Sequence, residues 1–176
     1  GRFLQAARSI KYRTAFATIY AAGLRVSELI SLTVKDIDSA RMVIHVRHGK
    51  GRKDRYVMLS DQLLNLLRSY WKIDRPHHWL FPGADPQRHI TARQLERVCR
   101  QTAEVAGLSK NVTVHTLRHC FATHLLEQGV DIRVIQDLLG HRHLNATSRY
   151  ARVAINTIRQ IQSPLELLKV PVAPPA

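Results

Sequence analysis

The sequence predicts a mainly α-helical fold with one small antiparallel β-sheet, an α+β domain. Three observations lead to this prediction. Helix-like patterns bounded by capping residues fill most of the 176 residues. Two runs, residues 42–47 and 54–59, are rich in the residue types that favour strands. The six residues between them, 48–53, include two glycines and are typical of a hairpin turn.

The N-terminal part is predicted to hold a long helix, a short helix and a strand. Apolar residues recur on one side of residues 2–22, and Gly23 is suited to end that helix. A short helix fits residues 26–32, with Arg25 at its start, where a sharp turn can hold the side chain rigidly. A third short strand is expected near residues 34–37, beside the hairpin.

The middle of the chain is predicted to form two helices separated by a loop. Ser60 is a suitable N-cap for a helix that ends near residue 72. Residues 74–88 contain three prolines and therefore predict a loop, in which residues 79–81 are expected to pack inward. Thr91 is suited to cap the next helix, which runs to about residue 106.

The C-terminal part is predicted to contain four helical pieces and a tail. The helical pieces span residues 116–128, 131–139, 143–152 and 154–162. Residues 1–169 are interpreted as one domain. Residues 170–176 contain three prolines and are predicted to be a flexible tail.

The charge balance predicts a polyanionic partner. Lys and Arg number 27 against 13 for Asp and Glu, which gives a net charge of +14. Nucleic acid is the first candidate and an anionic membrane surface the second. No apolar run approaches the roughly 20 residues that span a bilayer, and no signal peptide is visible. Two cysteines are too few for a disulfide framework, so a cytoplasmic location is expected.

Five residues together suggest chemistry on a phosphodiester. Arg118 lies three residues after His115, and Tyr150 lies nine after His141, with Arg25 far upstream. Guanidinium groups neutralise phosphate, imidazoles bind phosphate or move protons, and a phenolate is a nucleophile. Neighbouring cations lower the cost of ionising a phenol, whose ordinary pKa is about 10.

Four stretches of the sequence carry a family resemblance: residues 18–29, 48–55, 115–125 and 135–143, the last leading to Tyr150. On these motifs the chain resembles the catalytic domain of the tyrosine recombinases, the phage integrase family, in its Xer-like and transposon-associated branch. The resemblance extends over about residues 12–155. It implies a site-specific DNA recombinase or integrase that works through a 3′-phosphotyrosyl intermediate.

The resemblance also implies roles for individual residues. Arg25 and Arg118 would clamp the non-bridging oxygens of the scissile phosphate, because guanidinium is planar and bidentate. Lys50 would donate a proton to the leaving 5′ oxygen, and His115 would assist proton transfer at the nucleophile. His141 would hydrogen-bond the phosphate, and Tyr150 would be the nucleophile. Glu28, three residues after Arg25, is expected to lie behind the site and orient it.

Further basic residues are expected to contact DNA. They are Arg47, Arg52, Lys53 and Arg142. The proton donor assigned to Lys50 could instead be Arg52 or Lys53, which share the same turn. No cofactor or metal is predicted, because no Walker motif or carboxylate cluster for Mg²⁺ is visible. The four-residue spacing of His115 and His119 suits a zinc site, but no third ligand is evident.

Two alternative functions remain open. A type IB topoisomerase would share the nucleophile and the arginines but would relax DNA. A non-catalytic DNA-binding protein would use residues 131–150 as a helix-turn-helix. The expected partner is double-stranded DNA. The full-length protein is expected to form a homotetramer on two DNA sites and to associate with the bacterial nucleoid. We also expect the family's N-terminal DNA-clamping domain to be missing, and residues 154–169 to dock on a neighbour or on their own domain.

Overall fold

The computed structural model describes residues 1–47, 54–140 and 163–168. Within these ranges the chain is mainly helical and carries one three-stranded antiparallel sheet, so the predicted fold class is confirmed. The predicted turn at 48–53, the helical pieces at 143–152 and 154–162 and the tail at 170–176 lie outside the described residues.

The predicted N-terminal helix is two helices, which corrects the sequence-based expectation. α1 spans Arg2–Ala6 and α2 spans Ile10–Ala22, separated by an extended Ala7 and by Ser9 as the N-cap of α2. Serine favours such a position because its hydroxyl competes with helical hydrogen bonding. The break lets α1 fold onto α2, where the rings of Phe3 and Phe16 lie 5.2 Å apart.

α2 ends as the sequence predicts. Gly23 has the left-handed conformation, with φ +62°, and its N–H donates to the carbonyl of Ile19. The following short helix, α3, spans Val26–Ile30 and has Arg25 at its N-cap. The reversal between the two helices therefore places Arg25 at a fixed helix start.

The three strands pair in chain order. β1 spans Ile37–Asp38, β2 spans Val43–Val46 and β3 spans Arg55–Met58. β1 begins later than predicted, because the carboxylate of Asp36 accepts hydrogen bonds from the backbone N–H and hydroxyl of Thr33 at 2.8 and 2.7 Å. These bonds close a 3-10 turn over Val34–Asp36.

Four longer helices follow the sheet. α4 spans Asp61–Asp74, α5 spans Ala92–Val105, α6 spans Val114–Glu127 and α7 spans Ile132–Leu139. Side chains cap all four, as predicted for Ser60 and Thr91. α6 begins two residues earlier than predicted, because Thr113 accepts a hydrogen bond from the N–H of Thr116.

The proline-containing segment is a loop, but one of its three apolar residues differs from the prediction. Leu80 and Phe81 are buried as expected. Trp79 is only half-buried, because its indole N–H donates to the carbonyl of Gln87 at 2.9 Å and so keeps one edge of the ring at the surface.

The core is built around α2, which packs against α4 and α6. A second cluster of apolar side chains joins β3, α6 and α7: it consists of Met58, Phe121, Leu125, Ile135, Leu138 and Leu139. The C-terminal turn Pro164–Leu167 packs against α2, α4 and α6 of the same chain. Among the described residues, no helix is long and apolar enough to cross a membrane.

Candidate active site

A cavity of about 780 Å³ opens where α3, α6 and the end of α7 meet. Its lining includes the side chains of Arg25, His115 and Arg118, which come from two distant parts of the sequence, together with Gly140. The structure thus brings together three of the six residues that the sequence singles out for catalysis. The other three, Lys50, His141 and Tyr150, lie outside the described residues.

Arg25 is fixed by the start of α3. Its backbone N–H donates to Oε2 of Glu28 at 2.8 Å, and its Nη1 donates to Oε1 of the same carboxylate at 2.8 Å. Glu28 is therefore both the cap of the helix and the anchor of the guanidinium. The Arg25 side chain is 23% exposed, whereas Glu28 is 4% exposed.

A second arginine holds the same carboxylate from the other side. Nη1 and Nη2 of Arg55, on β3, donate to Oε1 and Oε2 of Glu28 at 2.7 and 2.8 Å, a bidentate pair. Nη1 of Arg118 lies 3.7 Å from Oε2 of Glu28. One buried carboxylate is thus surrounded by the guanidinium groups of Arg25, Arg55 and Arg118.

These neighbours keep Glu28 ionised. Burial alone raises the pKa of a carboxyl group, but the hydrogen bonds and charge of Arg55 and the hydrogen bonds of Arg25 outweigh it and lower the pKa of Glu28 to about 2. The carboxylate carries one negative charge against three guanidinium charges, so the cluster keeps a net charge of about +2. That excess suits an anionic ligand at the cavity.

Arg118 is held by backbone carbonyls as well as by charge. Its Nη1 donates to the carbonyl of Gly23, and its Nη2 donates to the carbonyl of Leu139 at 2.8 Å. The side chain is 5% exposed. Burial, followed by the charge of Arg25, lowers the pKa of Arg118 to about 10, so the guanidinium remains charged at neutral pH.

The end of α7 is a second meeting point for the arginines. Nε of Arg55 donates to the carbonyl of Leu138 at 2.9 Å, and Nη2 of Arg118 donates to the carbonyl of Leu139 at 2.8 Å. Nη2 of Arg25 donates to the carbonyl of Gly140 at 3.3 Å. A helix C-terminus carries partial negative charge, so these cations satisfy its last carbonyls. The arrangement fixes the helix end that directly precedes residue 141 in the chain.

His115 lies at the start of α6, one helical turn before Arg118. It is exposed and lines the same cavity. Both side chains can therefore reach one ligand in the cavity, as their three-residue spacing predicts. His119, in contrast, is exposed on the same helix and is not among the residues that line the cavity.

Of the basic residues expected to contact DNA, Arg47 is described. Its Nε donates to Oδ1 of the buried Asp36 at 2.6 Å, and 52% of its side chain is exposed. It lies beside a separate, smaller cavity that also includes Glu28 and Trp79. Arg52, Lys53 and Arg142 lie outside the described residues, and contact of all four with DNA stays a prediction.

Arg55 belongs to the site although the sequence analysis gave it no role. In the β2–β3 register, Arg55 pairs with Val46, and Val57, two residues later on the same face, pairs with Ile44. The three valine and isoleucine side chains are buried. The alternation of strand side chains therefore turns Arg55 toward the interior. An arginine at an inward position needs a carboxylate partner, and that requirement is the signal that could have found it.

A mainly helical domain in which paired arginines and a histidine surround one cavity has the features of a tyrosine-recombinase catalytic domain. The chain belongs to the phage integrase family, which matches residues 2–157. The predicted family, a class of enzymes that break and rejoin DNA, is therefore confirmed.

Individual relatives agree with this assignment. A Sinorhizobium fredii protein, y4eF, whose name marks it as a candidate integrase/recombinase, is 50% identical over 98% of this chain and 69% of its own length. The tyrosine recombinase XerA of Thermococcus kodakarensis is 40% identical over 86% of this chain. The chain spans about half the length of the Xer recombinases that it matches.

Solved structures show the same fold. The crystal structure of XerA recombinase has a TM-score of 0.72 and 33% identity over 92% of this chain and 61% of the other. The XerH site-specific recombinase, solved bound to its difH substrate before cleavage, has a TM-score of 0.70 and 27% identity over 90% of this chain and 46% of the other.

Proposed function

We propose that this chain carries the catalytic centre of a site-specific DNA recombinase or integrase. The observation that carries the proposal is the pair of guanidinium groups, Arg25 and Arg118, held at one cavity by a shared buried carboxylate. The partner is double-stranded DNA, and the active assembly is a homotetramer on two DNA sites in the bacterial cytoplasm. The net charge of +14 supports attraction to such a polyanion.

The reaction is a transesterification in two steps. The phenol oxygen of Tyr150 attacks the scissile phosphorus, its proton passes to His115, and the bond from phosphorus to the 5′ oxygen breaks. Lys50 gives a proton to that leaving oxygen. The product is a 3′-phosphotyrosyl link, which conserves the phosphodiester bond energy.

Religation reverses these transfers with a 5′-hydroxyl from another strand, so the cycle is balanced without ATP or an added metal ion. Negative charge accumulates on the phosphate oxygens in the transition state, where Arg25 and Arg118 stabilise it, together with a hydrogen bond from His141. The roles of Lys50, His115, His141 and Tyr150 derive from the family resemblance.

Covalent trapping tests the proposal. The protein is incubated at low salt with a library of nicked duplexes of randomised core sequence, denatured, and assayed for DNA that stays bound. We expect adducts with the wild type and none with Tyr150→Phe. Tyr12→Phe is the matched control, because this partly buried tyrosine lies on α2 and is not among the residues that line the cavity. Absence of an adduct with wild type would favour a non-catalytic DNA-binding protein.

A second assay separates recombination from relaxation. Two differently labelled duplexes that carry the trapped sequence are mixed with the protein, and a supercoiled plasmid is treated in parallel. Recombinant duplexes support the proposed function. Relaxed plasmid without recombinant products would instead support a topoisomerase of type IB.

A further inference from the structure

Arg55 lies where three parts of the site meet. It begins β3, and its backbone pairs with Val46 of β2. Its guanidinium reaches the Glu28 carboxylate on α3, and its Nε reaches the carbonyl of Leu138 at the end of α7. The side chain is 12% exposed, so water competes little for these hydrogen bonds.

Arg55 and Arg25 together hold the Glu28 carboxylate. Each oxygen of Glu28 is shared: Oε1 accepts from Nη1 of Arg25 and Nη1 of Arg55, and Oε2 accepts from the Arg25 backbone and Nη2 of Arg55. A bidentate fork fixes the plane of a carboxylate, which a single hydrogen bond does not. Nη1 of Arg25 donates to one oxygen of that same carboxylate.

The surroundings leave little space for a different geometry. Gly140, with φ +62°, approaches Arg55 so closely that an added Cβ would lie 3.2 Å from its Cδ and Nη1. The same glycine lines the cavity, and its carbonyl accepts from Arg25. Arg55 is therefore packed between the anchor of Arg25 and the backbone at the edge of the cavity.

We propose that Arg55 is a positioning residue for DNA cleavage: it holds Glu28 in one plane and thereby aims the Arg25 guanidinium at the scissile phosphate. The inference rests on the proposed function. Arg55 has no part in bond making or breaking. It acts through Arg25, and its Nε also holds the end of α7 through the carbonyl of Leu138.

The test uses Arg55→Lys, which keeps the charge and removes the bidentate fork. The single-turnover cleavage rate is measured at saturating DNA on a nicked duplex from the trapping experiment. A displacement of about 1 Å at a reacting group can reduce a rate about 100-fold, and we expect a loss of this order. Circular dichroism and thermal unfolding establish that the variant is folded.

Arg41→Lys is the matched control. Arg41 lies in the turn between β1 and β2, and its side chain is 48% exposed, with its Nε 4.0 Å from the carboxylate of Asp38. The substitution makes the same chemical change in a turn that joins two strands of the same sheet. We expect a cleavage rate within about twofold of wild type, as for surface substitutions in general.

A second substrate separates positioning from a general loss of structure. A methylphosphonate at the scissile position has no negative charge for the guanidinium groups to neutralise. If Arg55 acts by aiming Arg25, the defect of Arg55→Lys shrinks at least about tenfold on this substrate, because the misaimed charge no longer matters. A merely structural role would give equal defects on both substrates and would overturn the inference.

A double-mutant cycle provides an independent readout. If the two arginines act as one unit, Arg25→Lys combined with Arg55→Lys loses no more activity than Arg25→Lys alone. Additive losses contradict the inference.

Wild-type cleavage rates for Arg55→Lys would also overturn the inference and leave the proposed function standing. If wild type itself formed no covalent adduct, the proposed function would fail, and this inference would fail with it.

Discussion

Nη1 of Arg118 donates a hydrogen bond to the backbone carbonyl of Gly23, 95 residues earlier in the chain. Gly23 ends α2 in the left-handed conformation and stands two residues before Arg25. One backbone carbonyl therefore ties the second arginine of the site to the turn that presents the first. The geometry of the proposed phosphate clamp depends on this turn as well as on the two side chains.

Gly23→Ala should destabilise the fold strongly. The left-handed conformation costs about 1–2 kcal/mol for a residue with a Cβ, and this Cβ would lie 2.5 Å from the buried ring of Phe121. Gly107 is a matched control, because it has φ +64° and, apart from its own neighbours in the chain, no atom lies within 4 Å of its Cβ position. We expect Gly23→Ala to lose about 1–3 kcal/mol more than Gly107→Ala in urea unfolding. Equal losses would contradict this account of the turn.

Arg118→Lys should cleave DNA far more slowly while keeping the positive charge. Lysine cannot reproduce the fork that spans Gly23 and Leu139, so its ammonium cannot be held in the same direction. We expect the single-turnover cleavage rate to fall about 100- to 1,000-fold, as for loss of one preorganised donor to a transition-state oxygen. Arg88→Lys, on an 86% exposed side chain, should cleave normally. Undiminished cleavage by Arg118→Lys would show that the clamp does not need this guanidinium.

Glu28 should contribute stability that disappears in acid. Its folded pKa of about 2 lies below the ordinary value of 4.5, so its contribution is complete above pH 4.5 and is lost as pH falls toward 2. The change in pKa corresponds to about 3 kcal/mol. We expect Glu28→Gln to be less stable than wild type at pH 7, with a difference that narrows between pH 4.5 and 2. A difference in unfolding free energy that stays constant over this range would refute the proposed charge coupling.

Leu165→Ala should destabilise the domain, because the C-terminal turn packs into the core of its own chain. Leu165 is fully buried, the Ser163 hydroxyl approaches the carbonyl of Ala21, and Oε1 of Glu166 accepts from the backbone N–H of Gln62 at the start of α4. Truncating a buried leucine costs about 2–5 kcal/mol. The control Leu126→Ala, at a 54% exposed position, should cost less than about 1 kcal/mol. Similar losses for both variants would mean that the turn is not docked in solution.

DNA binding should depend strongly on salt. The logarithm of affinity falls with the logarithm of salt concentration by about 0.9 for each neutralised phosphate. Arg93 is exposed in the first turn of α5, beside Ala92 of the cavity lining. We expect Arg93→Gln to reduce this slope by about 1 and to weaken binding equally for all sequences. Arg75→Gln is the control, because Arg75 is not among the residues that line the cavity and its guanidinium lies over the ring of Trp71. Fluorescence anisotropy at several salt concentrations measures the affinity and its salt dependence for both variants. An unchanged slope for Arg93→Gln would place that arginine away from DNA.

Much of the fold could be predicted from the sequence, because its signals are local. Capping by Ser60 and Thr91, the left-handed end at Gly23 and the strand composition of the hairpin each depend on a few neighbouring residues. The errors arose where local preference was weak. The helix break depends on the preference of Ser9 for a helix start, and the half-buried position of Trp79 depends on its hydrogen bond to Gln87, eight residues further on.

By itself the sequence determined the family, the basic character and the candidate residues, because motifs and charges follow from the order of residues alone. It also placed His115 and Arg118 one helical turn apart, since that distance follows from the helix itself. Only the tertiary structure decided that Arg25, Arg55 and Arg118 share the single carboxylate of Glu28. Such convergence depends on how α3, β3 and α6 pack, and packing is set by contacts between residues far apart in the chain.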